Sequence, residues 1–190
     1  LIMYFQSIPK IPYDSYGNYD FKVVTNLLRR VAVRAKVKAN TLMYDTYDVK
    51  NGETPESIAY KLYDDATLHW VVLIVNDITD RYHQWPMSYI QFSKYVTEKY
   101  VNTDGTSNVG GVHHYEIAQS SGDTDTKIEV YNNSALYTGD TDFYASATTV
   151  TNYEYEEALQ DEKRKIRLLD PRYVDQFVDE YLNLMRESIL

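Results

Sequence analysis

The chain has 190 residues, 44% of them hydrophobic, with 19 basic and 28 acidic side chains, a net charge of −9 and no cysteine. This length and composition suit one globular core, or a core with a smaller lobe. The lack of cysteine excludes disulfide frameworks, zinc-thiolate sites and thiol chemistry, and no apolar run reaches the roughly 18 residues that a membrane-spanning helix needs.

The charge is unevenly spread. Residues 1–40 carry seven basic and two acidic groups, whereas residues 41–100, 101–152 and 153–190 are each net negative. A basic arm on an acidic body suits docking on an acidic neighbour, with Arg29, Arg30, Arg34 and Lys36 as the candidate contacts. So few basic groups beside an acidic remainder argue against nucleic acid as the partner. The 20 tyrosines outnumber the 5 phenylalanines and 2 tryptophans. A ring with a polar end fits a half-wet interface and equally a half-buried strand.

Pro9, Pro12 and the Tyr/Asn/Gly/Asp cluster over 13–20 make the first twenty residues an extended arm with turns. The arm has neither the basic start nor the sustained apolar run of a secretory signal, so a soluble protein assembled in the cytoplasm is expected. Val23, Val24, Leu27, Leu28 and Val31 fit a helical face, after which Val31, Val33, Ala35 and Val37 alternate as a strand would. Tyr47 and Val49 then mark a short half-buried strand that Asn51-Gly52 ends, and Thr54-Pro55 opens a helix with Glu56 in its first turn and Ile58, Ala59 and Leu62 inward. Leu68 to Val75 is nearly continuous in apolar residues. A helix apolar on all sides needs cover on all sides, from the rest of this chain or from another subunit.

Trp85-Pro86 closes the following polar loop, and a third helix is expected from Pro86 with Ile90, Tyr95 and Val96 inward. Residues 101–152 shift to Gly, Ser, Thr, Asn and Asp, with β-like runs at 111–117, 127–132 and 142–150, and read as inserted β-hairpins. Tyr153 to Asp161 is an acidic helix in which Glu156 and Glu157 read as a solvated face. Ile166 and Leu168 alternate with charged neighbours as a strand, and Asp170-Pro171 starts an amphipathic helix with Val174, Phe177, Val178, Tyr181, Leu182, Met185 and Ile189 on one face. That stripe packs on the chain's own core or docks in a neighbour's groove.

The order Tyr47, Val49, Lys50, Gly52, Glu53, Thr54, Ile58, Ala59, Leu62 and Asn76 resembles the start of a LysM module, a βααβ fold associated with binding N-acetylglucosamine polymers. After Asn76 the sequence departs from that family. The run GETPESIAYKLYDD, then LHWVVLIVND, then Trp85-Pro86, together with MYFQSIPKIPYD and EKRKIRLLDPRYVDQFVDEY, resembles the baseplate wedge proteins of T-even-like contractile-tailed phages, which carry a LysM-like domain within a structural subunit. The resemblance implies a virion component of the tail baseplate, assembled in the host cytoplasm, that binds other wedge proteins and helps adjacent wedges join into the six-fold baseplate. Its expected docking residues are the basic group above, the rim around Trp70 and Trp85, and Phe177 and Tyr181 on the last helix. The alternative is a LysM-type protein binding peptidoglycan, with Asn76, Tyr82 and Trp85 against the sugar. For Trp85 and Asn76 the competing reading is structural, as a hydrophobic plug and a helix C-cap.

No catalytic set is evident. Nucleophile elbows, phosphate-binding glycine loops and kinase motifs are missing, and Glu53 occupies an acidic position common to the LysM motif. His113 and His114 are adjacent in an expected strand, which points them to opposite faces, and His69 and His83 have no acidic residue at a metal-ligand spacing. The chain is therefore expected to be a non-enzyme without metal or cofactor. The expected fold class is α+β: a LysM-like βααβ core with an extended N-terminal arm, an inserted β-hairpin region and a C-terminal amphipathic helix. The corresponding segments are 1–40, 41–100, 101–152 and 153–190.

Overall fold

The structure is a computed structural model that describes residues 8–28, 41–118, 127–131 and 147–187. It is a mixture of helix and strand in two compact units, one formed by residues 1–85 with 164–190 and the other by residues 86–163.

In the first unit, β1 (Lys10–Tyr13) and β2 (Lys22–Thr25) form an antiparallel hairpin in which Ile11 faces Val24 and Pro12 faces Val23. The Asp14 carboxylate organises the connection, accepting from the backbone N–H groups of Tyr16, Gly17 and Tyr19 at 3.1, 2.8 and 2.7 Å. Gly17 sits at φ 68°, which a glycine adopts without strain. The helix expected from Val23 is thus a strand at its start. Two adjacent β-branched valines favour extended backbone, and β1 supplies the partner that a helical reading lacks. The alternation over 31–37 lies outside the described residues.

The next strand, β3 (Tyr44–Asp48), pairs antiparallel with β7 (Lys165–Leu169), with Tyr44 opposite Leu169 and Asp48 opposite Lys165. Along β7, Ile166 and Leu168 are buried while Lys165 and Arg167 face out, the period-2 pattern of a one-sided strand. Between these strands in sequence come α1 (Pro55–Tyr63) and α2 (His69–Val75). Thr54 and Ser57 form a reciprocal capping box, with the Ser57 N–H donating to Thr54 Oγ1 at 3.2 Å and the Thr54 N–H to Ser57 Oγ at 3.0 Å. Asp64, at φ 56°, ends the helix in the left-handed conformation.

Helix α2 lies against two apolar clusters, which explains its lack of a polar face. Trp70, Val71 and Val75 join Leu169 and the buried side of α6 (Val174–Glu187), namely Val174, Val178, Tyr181 and Met185. Val72 joins Val49, Ile58, Ala59, Trp85, Ile166 and Leu168. The cover that α2 demands is therefore this chain's own β7, α1 and α6. The Tyr63 hydroxyl donates to the Leu169 carbonyl at 3.0 Å, fixing α1 to the end of β7.

In the second unit, α4 (Tyr89–Lys99) follows the single-turn α3 (Arg81–Gln84) of the first. Helix α4 starts at Tyr89, three residues later than Pro86 suggests, because Ser88 and Gln91 make a second reciprocal capping box. This start turns Phe92 and Val96 inward and leaves Ile90 exposed, correcting the expected inward position of Ile90. A three-stranded antiparallel sheet has β4 (Val112–Ala118) between β5 (Lys127–Tyr131) and β6 (Thr148–Thr151), and β6 runs directly into α5 (Asn152–Arg164). Phe92 meets Tyr153 edge to face at 5.4 Å between ring centroids, and Gln160 Oε1 accepts from the Met87 N–H at 2.9 Å.

Candidate docking surfaces and polar sites

Of the residues expected to meet a partner, Arg29, Arg30, Arg34 and Lys36 lie outside the described residues. The structure brings Trp70, Phe177 and Tyr181 together. The Trp70 ring is 4.5 Å from Tyr181 and 6.3 Å from Phe177, both tilted, and Trp70 and Tyr181 are buried. Their rings are joined to each other in the core, and only Phe177 in this trio keeps partial exposure. Trp85 is buried too, and its Nε1 donates to the Glu53 carbonyl at 2.9 Å. An exposed aromatic rim at Trp70 and Trp85 is thus corrected: both indoles close the interior, one in each cluster.

Of the residues assigned to sugar contact, Tyr82 is exposed on α3, whereas Trp85, which ends that helix, is buried. Asn76 faces inward to the backbone. Its Nδ2 donates to the carbonyls of Val72 and Arg167, each at 2.8 Å, and its Oδ1 accepts from the Arg167 N–H at 2.8 Å.

Glu53 organises the turn before α1. Its carboxylate accepts from the Tyr47 hydroxyl at 2.9 Å, from the Lys50 N–H at 2.9 Å and from the Lys61 ammonium. Burial favours its neutral form, but the hydrogen bonds from Lys61, Lys50 and Tyr47 outweigh it and hold the carboxyl below its ordinary range. Gly52, at φ 77°, lets the chain make this turn. The arrangement orders a loop, and each donor to Glu53 comes from within 47–61.

The surface that composition did not single out is the β1–β2 hairpin. Tyr16 and Tyr19 in its connection, Phe21 and Val23 on its second arm, and Leu27 and Leu28 just beyond are exposed, with Leu28 at 93%. Contiguous apolar exposure of this kind marks interaction surfaces more often than isolated exposed residues do. The helical reading of 21–31 hid it by turning these valines and leucines inward.

Two polar sites in the second unit also differ from expectation. Glu156 is buried, 2% exposed, and not part of a solvated face; its Oε1 takes the Lys99 ammonium at 2.6 Å and the Tyr100 hydroxyl at 2.8 Å. Hydrogen bonding to Glu156 raises the Lys99 pKa, while burial, with Glu156 second, pushes the Tyr100 hydroxyl up to about 12. The second is the histidine pair. A register shift between Val112 and His114 in the β4–β6 pairing breaks the strand's alternation at His113. His113 and His114 therefore do not diverge: their Nδ1 atoms are 2.8 Å apart and His113 stacks on Tyr155 at 3.8 Å.

Among the described residues no helix is long and apolar enough to cross a membrane. A family model described as Base plate wedge protein 53 matches residues 3–184. The chain is also 22% identical over 148 residues to the Baseplate wedge protein gp53 of Enterobacteria phage T4, an overlap of 75% of this chain and 74% of that protein. The family match spans both compact units and the strand pair that closes the first, and on that evidence the chain belongs to the base plate wedge protein 53 family.

Proposed function

We propose that the chain is a non-enzymatic structural subunit of a phage tail baseplate wedge, which binds other wedge proteins and helps join adjacent wedges into the six-fold baseplate. The observation that carries this reading is the family match over residues 3–184. The exposed apolar hairpin supports the choice of a protein partner, because Val23 and Leu28 gain from leaving water only against another apolar surface. The basic residues Arg29, Arg30, Arg34 and Lys36 follow immediately and supply charge for an acidic neighbour.

Within this reading, β3, α1, α2 and β7 form a LysM-like βααβ core that serves as a scaffold for protein contacts. The engagement of Asn76 by Arg167 and Val72, and the burial of Trp85, weigh against the peptidoglycan alternative, since a sugar would have to displace core interactions to reach them.

The test is complementation. A lysate holding the other tail proteins but lacking this subunit should form six-fold baseplates, seen by electron microscopy, when the wild-type chain is added. Val23→Asp with Leu28→Asp, and separately Arg30→Glu with Arg34→Glu, should give folded protein that restores assembly poorly. Full restoration by both variants would remove these docking surfaces. Sedimentation of the wild type with insoluble peptidoglycan, without restored baseplates, would reverse the ranking in favour of glycan binding.

A further inference from the structure

We infer that His114, Glu116 and Glu129 form a binding site for a divalent transition-metal ion of borderline softness, zinc in the first instance. Their ligand atoms all lie within 4.8 Å of one another. The topology places them there. His114 and Glu116 are two apart on β4 beyond the register shift, so they share a face, and Glu129 on β5 stands directly opposite Glu116.

Three features of this cluster point to a cation. First, two carboxylates directly opposed across an antiparallel pair repel one another, and a cation between them turns that penalty into attraction. Secondly, four-coordinate zinc with bonds of roughly 2.0–2.1 Å holds its donors about 3.4 Å apart; His114 Nε2 lies 3.5 Å from Glu116 Oε1. Thirdly, the imidazole is oriented from behind. His113 Nδ1 is 2.8 Å from His114 Nδ1, a contact that fixes the ring and, in the tautomer a metal requires, takes the proton of His114 Nδ1 and leaves Nε2 to the ion.

The graded exposure fits metal capture. His114 is buried, Glu116 half-buried and Glu129 exposed, so the outermost ligand is the one with room to swing inward. One imidazole and two carboxylates, without thiolate, select zinc-like ions over copper(I) and over the all-oxygen sites that calcium and magnesium prefer. The chain supplies three ligands, which leaves a fourth position to water. The ion would fasten β5 to β4, tightening the sheet of the second unit.

The experiment uses the full chain, stripped with EDTA and dialysed, then titrated with zinc chloride against a chromogenic chelator. Wild type should take up one zinc per chain. Glu129→Gln and Glu116→Gln should each weaken binding at least tenfold, while His83→Gln, which alters the exposed His83–Asp80 pair, should leave it unchanged. As a readout that needs no variant, zinc should slow hydrogen exchange of the β5 amides over Lys127–Tyr131 in the wild type. No zinc uptake by wild type, wild-type affinity in either glutamine variant, weakened binding in His83→Gln, or unchanged exchange in β5 would each overturn the site.

Discussion

Asn76 holds both backbone groups of Arg167, 91 residues further along the chain, with its Oδ1 on the N–H and its Nδ2 on the carbonyl, each at 2.8 Å. The side-chain amide has the donor and acceptor of a peptide group and pairs with Arg167 as one residue of a neighbouring strand would. Because β3 lies on the other edge of β7, Asn76 satisfies the edge that the sheet leaves open. The third bond, to the Val72 carbonyl, ties that edge to the end of α2.

Replacing Asn76 by leucine should therefore destabilise the first unit by about 2 kcal/mol, the scale of losing hydrogen bonds to partly sheltered backbone groups. Asn76→Asp should cost a similar amount, since it keeps the acceptor for Arg167 N–H but loses both donors. Urea denaturation measures this. An unchanged midpoint for Asn76→Leu would mean that water replaces the amide without loss.

Trp70 and the hairpin should respond in opposite ways. Trp70→Ala removes a ring packed on Tyr181 and Phe177 in the core, and a loss of about 3–5 kcal/mol is expected. Val23→Asp with Leu28→Asp changes only exposed positions and should shift stability by about 0.5 kcal/mol or less per site. Thermal melts of the isolated chain separate the two effects. Equal losses would show that the hairpin is packed in solution.

The Lys99–Glu156 pair is asymmetric, and so should be its variants. Lys99 is 43% exposed at its side chain whereas Glu156 is 3% exposed. Lys99→Met strands a buried carboxylate with only Tyr100 among its described hydrogen-bond donors, at an expected cost of about 3 kcal/mol. Glu156→Gln retains an acceptor for Tyr100 and frees an ammonium that reaches water, so about 1 kcal/mol is expected. A larger loss in Glu156→Gln than in Lys99→Met, measured by chemical denaturation, would contradict this account.

Glu53 makes a pH prediction. Its folded pKa lies below its ordinary value because the hydrogen bonds from Lys61, Lys50 and Tyr47 outweigh burial. In the window below the ordinary glutamate value, the unfolded chain binds the proton first, so stability rises with pH there. The contribution is complete above that value and is lost as pH falls through the folded pKa. Glu53→Gln should flatten this part of the acid-unfolding curve. A parallel curve, displaced but equally steep, would assign the acid response to other carboxylates.

Local chemistry made α1 legible: Thr54, Pro55 and the inward set Ile58, Ala59 and Leu62 form the cap and face that their types favour. The strand at Ile166 and Leu168 and the stripe on α6 were legible for the same reason, since each declares its own period. What period cannot declare is the partner. Nothing near Tyr44–Asp48 signals that Lys165–Leu169 lies beside it, and the self-covering of α2 follows from that long-range pairing. The register shift at His113 was hidden because a strand reading assumes unbroken alternation. Glu156 misled because a helical acid resembles any surface acid until Lys99 and Tyr100 are brought over it.

The pairing of β3 with β7 also sets an order of events on the ribosome. Tyr44 to Val75 emerges first, then the whole of residues 86–163, and only then the strand and helix against which Trp70 and Val71 pack. The inserted unit has all its own residues available before the surrounding unit does, and domains fold as units during synthesis at about 5–20 residues per second. For several seconds at that pace the apolar face of α2 waits without its final neighbours. The first unit therefore completes its interior last, when β7 and then α6 reach the face of α2 that carries Trp70 and Val71.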